Sequence, residues 1–179
     1  RQQNRKIPPD PVLLRHTPYT SYTSITQKAA VRAVVTMPPG SNLVVTMPTG
    51  AGKSLLFQLA VLQRRAKVPG ACAVVITPTV SLALDHVRTL SAIPGLENCC
   101  ALTGDTSSDD RKEILNRFRR GEVPILLMSP EFAMGQARAA LIEVSKESSK
   151  KYAGLNGQLH MFVVDEAPII ENWGRTFRP

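Results

Sequence analysis

Two apolar patterns take turns along this chain. Short, largely apolar runs stand at 43–45 (Leu43, Val44, Val45), 71–76, 99–102, 123–128 and 160–164, the last opened by His160. Runs of this kind predict strands covered on both faces. Between them, apolar residues recur at helical spacing. Ala30, Val31 and Val34 mark one side of a helix over about 26–35, with Gln27 near its start, and Leu55, Leu59 and Leu62 mark one face of a second. Further helices are predicted over about 81–90 and 132–144. The helix before the 123–128 run is delimited by its ends. Ser107 and Asp110 have capping-box spacing, with Asp standing in for Glu. Asp109 and Asp110 suit the positive end, Arg117, Arg119 and Arg120 the negative end, and Gly121 closes it.

The punctuation agrees with this division. Pro38-Pro39-Gly40-Ser41, Pro69-Gly70 and Pro94-Gly95 read as turns. Residues 1–18 are basic and proline-rich, a lead-in without clear periodicity, and 145–157 read as a solvated, lysine-rich surface loop. Strands alternating with helices over 19–179 predict an α/β domain with a mostly parallel central sheet and right-handed crossovers.

Composition narrows the picture a little. At 179 residues and 43% hydrophobic, the chain suffices for one globular domain with a sizeable core. A net charge of +8 favours a polyanionic partner, nucleic acid first. Cys72, Cys99 and Cys100 have no metal-ligand spacing, and Cys72 and Cys99 read as buried structural thiols in a reducing, intracellular setting. No apolar run is long enough to span a bilayer, so no membrane partner is expected. No signal peptide is apparent, and Arg1 reads as a cut in a longer chain.

The candidate chemistry begins at Met47-Pro48-Thr49-Gly50-Ala51-Gly52-Lys53-Ser54, set between a predicted strand and a predicted helix. Gly50 and Gly52 let the backbone turn its N–H groups inward, where a side chain would block a phosphate. The helix that follows aims its positive end at the same point. Lys53 is suited to neutralise the β- and γ-phosphates of ATP, and the Ser54 hydroxyl to ligate Mg²⁺. Met47 stands where the generic phosphate-loop pattern has glycine. The last strand delivers Asp165-Glu166-Ala167-Pro168. Asp165 is suited to hold Mg²⁺ through its waters, and Glu166 to orient and deprotonate the water that attacks the γ-phosphate. This chemistry requires the lysine-bearing loop and the acidic strand end to share one metal ion.

Taken together, these segments resemble the first RecA-like domain of a RecQ-type DNA helicase of superfamily 2, over roughly residues 22–179. MPTGAGKSLLFQL resembles motif I, VVITPTVSLALDHV motif Ia, ILLMSPE motif Ib, and VVDEAPIIENWGRTFRP motif II running into the aromatic-rich loop. The resemblance implies a P-loop NTPase of RecA-like three-layer fold and an ATP-dependent 3′-to-5′ DNA helicase. It implies ATP contacts by Gln27, through its amide to adenine, and by Pro48, Thr49, Gly50, Ala51, Gly52, Lys53 and Ser54. Thr77, Pro78, Ser129, Trp173, Phe177 and Arg178 would face single-stranded or duplex DNA, with Trp173 stacking on an unpaired base. It also implies a motif III strand between the cradle strand and the Asp-Glu strand, and a second RecA-like domain with an arginine finger, both beyond Pro179. Residues 1–179 alone are therefore expected to leave a gap in the sheet centre and not to unwind DNA.

Three positions depart from the family. Pro168 replaces His, giving DEAP for DEAH, and offers no side-chain hydrogen bond. Thr23-Ser24-Ile25-Thr26 replaces Phe-Arg-Pro-Gly before Gln27, and Arg175-Thr176 replaces His-Asp in the aromatic-rich loop. Two other readings stay open: an RNA helicase or duplex translocase, and a nucleotide- or DNA-binding scaffold with weak or lost ATPase.

Overall fold

In a computed structural model of the chain, residues 6–146 and 156–166 are described. They fall into two compact units, residues 1–68 and 69–179.

The first unit is helical. It contains α1 (Pro11–His16), α2 (Ile25–Thr36) and α3 (Ser54–Arg65). The two longer helices agree with the apolar spacing. α1 lies within the segment that reads as a lead-in. Its start is set by Asp10, whose carboxylate accepts the Leu13 N–H at 3.1 Å, and by Pro11 in the first turn, where a missing N–H costs nothing. Leu13 then enters a cluster with Tyr22, Val31, Met47, Leu55, Leu56 and Leu59. Asp10 is buried and gathers two further partners. The Tyr22 hydroxyl donates to Oδ1 at 2.9 Å, and the Arg32 Nε lies 3.3 Å from Oδ2.

The predicted strand at 43–45 does not form. Among the described residues it joins no ladder, and Val44 is 90% exposed. An apolar run becomes a strand only when a neighbour takes its backbone N–H and C=O groups, and the described residues of this unit provide none.

The second unit is a parallel α/β sheet. β1 (Ala71–Ile76), β2 (Cys100–Leu102), β3 (Ile125–Met128) and β4 (Gln158–Val164) lie in the order β2-β3-β1-β4, and all three pairings are parallel. Each matches a predicted apolar run to within two residues. Every residue of β1 and β3, the inner strands, is buried, as strands covered on both faces require. β4 is an edge strand among those described and alternates more, with Phe162 exposed.

α4 (Val80–Ser91) and α5 (Ser108–Arg119) connect β1 to β2 and β2 to β3. Ser107 caps α5 as its spacing predicts, accepting the Asp110 N–H at 3.1 Å. At the other end Gly121 adopts φ +79°. Its N–H reaches Phe118 O at 3.0 Å, and the Glu122 N–H reaches Arg117 O at 3.0 Å, a complete Schellman motif.

The single helix predicted over 132–144 is two helices, α6 (Pro130–Met134) and α7 (Arg138–Ser145). Gly135 breaks it, at φ −102° and ψ −104°. The Ala137 N–H then spans back to Phe132 O at 2.9 Å instead of continuing the helical ladder.

Candidate active site

The phosphate-loop candidate lies in the first unit. Residues 48–50 are exposed, and the Ala51 N–H closes a turn on Pro48 O at 3.2 Å. Gly50 and Gly52 both adopt left-handed backbone, φ +78° and +77°, as the motif requires. Met47 explains its own departure from glycine. It is 7% exposed and anchors the loop's entry in the apolar cluster of the unit. α3 starts at Ser54 with Lys53 as its N-cap residue, and no side chain caps it. Backbone amides at a helix start, one ammonium and one hydroxyl are the donor set that a polyphosphate and its Mg²⁺ take.

Gln27 is bound to this loop. Its Nε2 donates to Gly52 O at 3.1 Å. Its Oε1 accepts from Thr23 N at 2.8 Å and from Thr23 Oγ1 at 3.0 Å. The side chain is buried, and a Cβ placed on Gly52 would collide with Gln27 Nε2. Ser24 caps α2 by accepting the Gln27 N–H at 3.0 Å. The Ser24-x-x-Gln27 spacing is a capping-box signature, and it is the sequence signal that could have pointed the amide backwards.

The acidic pair lies in the second unit. The Asp165 N–H extends the β1 ladder to Ile76 O at 2.9 Å, which fixes the strand end. Asp165 Oδ1 accepts the Glu166 N–H at 3.0 Å, and Glu166 adopts φ +53°. His86, on α4, places Nε2 3.2 Å from Asp165 Oδ2, with both side chains largely buried. A carboxylate only accepts, so Nε2 carries the proton of this bond. The two interactions hold the carboxylate in one orientation. Nothing in the local sequence marks His86, a helical histidine whose partner lies on another element.

The strand ends bearing Thr77 and Ser129 come together in the same unit. With Thr79, Val80, Thr103 and Gly104 they line a cleft of about 30 Å³ at the carboxyl ends of β1, β2 and β3. Thr77 is 1% exposed and its N–H is used by Met128 O at 3.0 Å, so its side chain does not face outward. Pro78 and Ser129 are half-buried, and Thr79 is exposed. Thr103 and Gly104 are additions that the sequence did not signal. Pro168, Trp173, Phe177 and Arg178 lie outside the described residues. Among the described residues no helix is long and apolar enough to cross a membrane.

A family profile described as DEAD/DEAH box helicase matches residues 23–179. The chain is 33% identical over 140 residues to ATP-dependent helicase SGS1 of Saccharomyces cerevisiae, covering 78% of this chain and 9% of that protein. It is 30% identical over 148 residues to ATP-dependent DNA helicase Q4 of Homo sapiens, covering 83% and 11%. It is 30% identical over 163 residues to ATP-dependent DNA helicase Q5 of Mus musculus, covering 90% and 15%. The chain thus spans 9–15% of the length of these relatives. Among solved structures it is similar to DUF1998 helicase MrfA bound to DNA and AMPPNP, with TM-score 0.62 and 20% identity, over 91% of this chain and 22% of that one. The same protein bound to DNA alone gives TM-score 0.57 and 22% identity, over 74% and 19%. The resemblance to RecQ-type helicases read from the motifs stands, and so does the RecA-like α/β fold.

Proposed function

Since the chain belongs to the DEAD/DEAH box helicase family, we propose that residues 19–179 form the nucleotide-binding RecA-like domain of an ATP-dependent DNA helicase of RecQ type. It hydrolyses ATP and couples that reaction to 3′-to-5′ unwinding. The observation that carries this reading is the phosphate loop. Its two glycines adopt the left-handed backbone the motif needs, directly before α3.

In this reading Pro48 to Ser54 wrap the phosphates, Lys53 neutralises charge on the β- and γ-phosphates, and Gln27 belongs to the site through Gly52. Ser54 in the first unit and Asp165 in the second are each suited to ligate Mg²⁺, which would neutralise charge at the reacting phosphate. His86 and the Glu166 N–H keep the Asp165 carboxylate oriented for that task. Glu166 orients the attacking water and takes its proton. The turns at Pro78, Thr79 and Ser129 face the DNA backbone, and Trp173, Phe177 and Arg178 grip unpaired bases. A second RecA-like domain supplies an arginine finger, a contribution of about 10³–10⁵ in rate in related phosphoryl transfers.

The test is phosphate release by the natural protein that carries this chain, with single-stranded DNA, duplex DNA and RNA as stimulants. Single-stranded DNA should stimulate most, and Lys53→Ala should abolish the stimulated rate. Preferential stimulation by RNA or duplex would move the assignment to an RNA helicase or translocase. DNA binding without turnover would make the chain a scaffold.

A further inference from the structure

Gln27 is where the geometry parts from the resemblance. Reading adenine by a side-chain amide takes both of its ends: the oxygen accepts from the exocyclic amine and the nitrogen donates to a ring nitrogen. Here the oxygen is taken up within the chain, and so is one of the two N–H groups of the nitrogen. Oε1 accepts two hydrogen bonds from Thr23, at 2.8 and 3.0 Å, which fills its two lone pairs. Nε2 donates to the Gly52 carbonyl at 3.1 Å.

The orientation of the amide is fixed by its partners. Thr23 N–H can only donate and Gly52 C=O can only accept, so a flipped amide would set like against like at both ends. Gln27 is 3% exposed. Turning the amide out toward a base would leave the Gly52 carbonyl and the Thr23 N–H without this partner. The contact is also close from the other side. Gly52 has φ +77°, and a Cβ there would collide with Gln27 Nε2. Gly52 and Gln27 therefore fit each other, and the Thr23 hydroxyl, 3.4 Å from Ala51 O, lies beside the same turn.

We infer that Gln27 is a positioning residue that clamps the Gly52 turn of the phosphate loop, and that its amide does not read the base. Nucleoside triphosphates are then selected by their phosphates, and purine bases are accepted with little discrimination. This rests on the nucleotide-binding function proposed above and specifies which part of the nucleotide the site recognises.

The experiment measures dissociation constants of ATP, GTP and ITP with Mg²⁺ by competition against a fluorescent nucleotide. The natural protein, Gln27→Glu, Gln27→Met and Lys53→Ala are compared. The natural protein should bind all three nucleotides within about threefold of one another, less than one good hydrogen bond contributes. Gln27→Glu sets a carboxylate against the Gly52 carbonyl, and Gln27→Met removes both polar ends. Each should weaken all three nucleotides together, on the order of tenfold, with their ratios unchanged. A natural protein that prefers ATP by tenfold or more overturns the inference. So does a Gln27 variant that loses ATP affinity alone. The comparison of bases in the natural protein requires no variant to fold. If the natural protein binds none of the three, or Lys53→Ala binds them equally well, the nucleotide-binding function itself fails, a different result from base selectivity.

Discussion

Each of the two units is stabilised internally by different means. In residues 69–179 the inner strands β1 and β3 are buried along their whole length, and the core is continuous apolar packing from Cys72 to Val144. In residues 1–68 the β pairing among the described residues is one isolated bridge, Ile7 with Tyr22. The turns there are fixed by buried polar side chains instead. Asp10 joins the start of α1 to Tyr22 and Arg32, and Gln27 joins α2 to the phosphate loop. A parallel ladder repeats the same backbone bond many times, so no single side chain decides it. A loop held by one amide or one carboxylate depends on that group, because a buried polar atom that loses its partner is costly. A sheet suits a scaffold, and a polar clamp suits a loop that must hold a defined shape while its outer face stays open to a ligand.

The contrast breaks first in the apolar core. Phe118 is fully buried, among Val74, Leu126 and Val144. Phe118→Ala should destabilise the second unit by about 3–5 kcal/mol, the cost of lost transfer energy plus a cavity. Denaturant unfolding, with hydrogen exchange at the β1 and β3 amides, measures it. A loss smaller than that of the polar substitution considered next would mean the sheet does not lean on its core.

Asp10→Ala is that polar substitution. It removes the cap of α1 and leaves the buried Tyr22 hydroxyl without its acceptor, so the first unit should lose about 2–3 kcal/mol. The Arg32 guanidinium is largely exposed and adds little to this. The same carboxylate carries a pH dependence. Burial pushes its pKa up, but the Leu13 N–H, the Tyr22 hydroxyl and Arg32 together outweigh burial and hold it below its ordinary 3.8. A depressed folded-state value means the stabilisation is present above 3.8 and disappears as pH falls through the lower value. Protection of the α1 and α2 amides should therefore fall with acid below that point, and Asp10→Ala should flatten the fall. An acid profile identical in the variant would remove Asp10 from the account.

The same contrast explains what could be read from the chain. Apolar runs located the four described strands, and most plainly β1 and β3, because an inner strand writes its burial into consecutive residues. The glycine-lysine loop was legible because its residue types are dictated by a phosphate. The run at Leu43–Val45 misled, since apolar character shows what wants burial and not whether a ladder partner exists. α1 was missed although Asp10-Pro11 is a helix-start signature, because helical periodicity is invisible over so few residues. The break at Gly135 is not legible in the sequence, because an isolated glycine is tolerated in many helices. Gln27 with Gly52 and His86 with Asp165 were beyond reach. Each joins residues far apart in sequence through one hydrogen bond, and nothing in local composition names the partner.

The smallest expected effect sharpens the comparison, because it sets a polar bond of the same type in the sheet unit. Ser107 Oγ accepts the Asp110 N–H and lies 2.7 Å from Asp110 Oδ2, to which its proton goes. Unlike the Asp10 cluster, this cap is exposed. Water can take over both bonds when the hydroxyl is removed, so Ser107→Ala should cost about 1 kcal/mol, within the ordinary range for an N-cap. Ser107→Gly should cost only a few tenths, since glycine leaves the amides open to solvent. Thermal unfolding of both variants beside Asp10→Ala isolates the variable. If Ser107→Ala matches Asp10→Ala, bond type sets the cost. If it costs half as much or less, burial does, and the first unit is the more sensitive because its polar clamps are sealed from water.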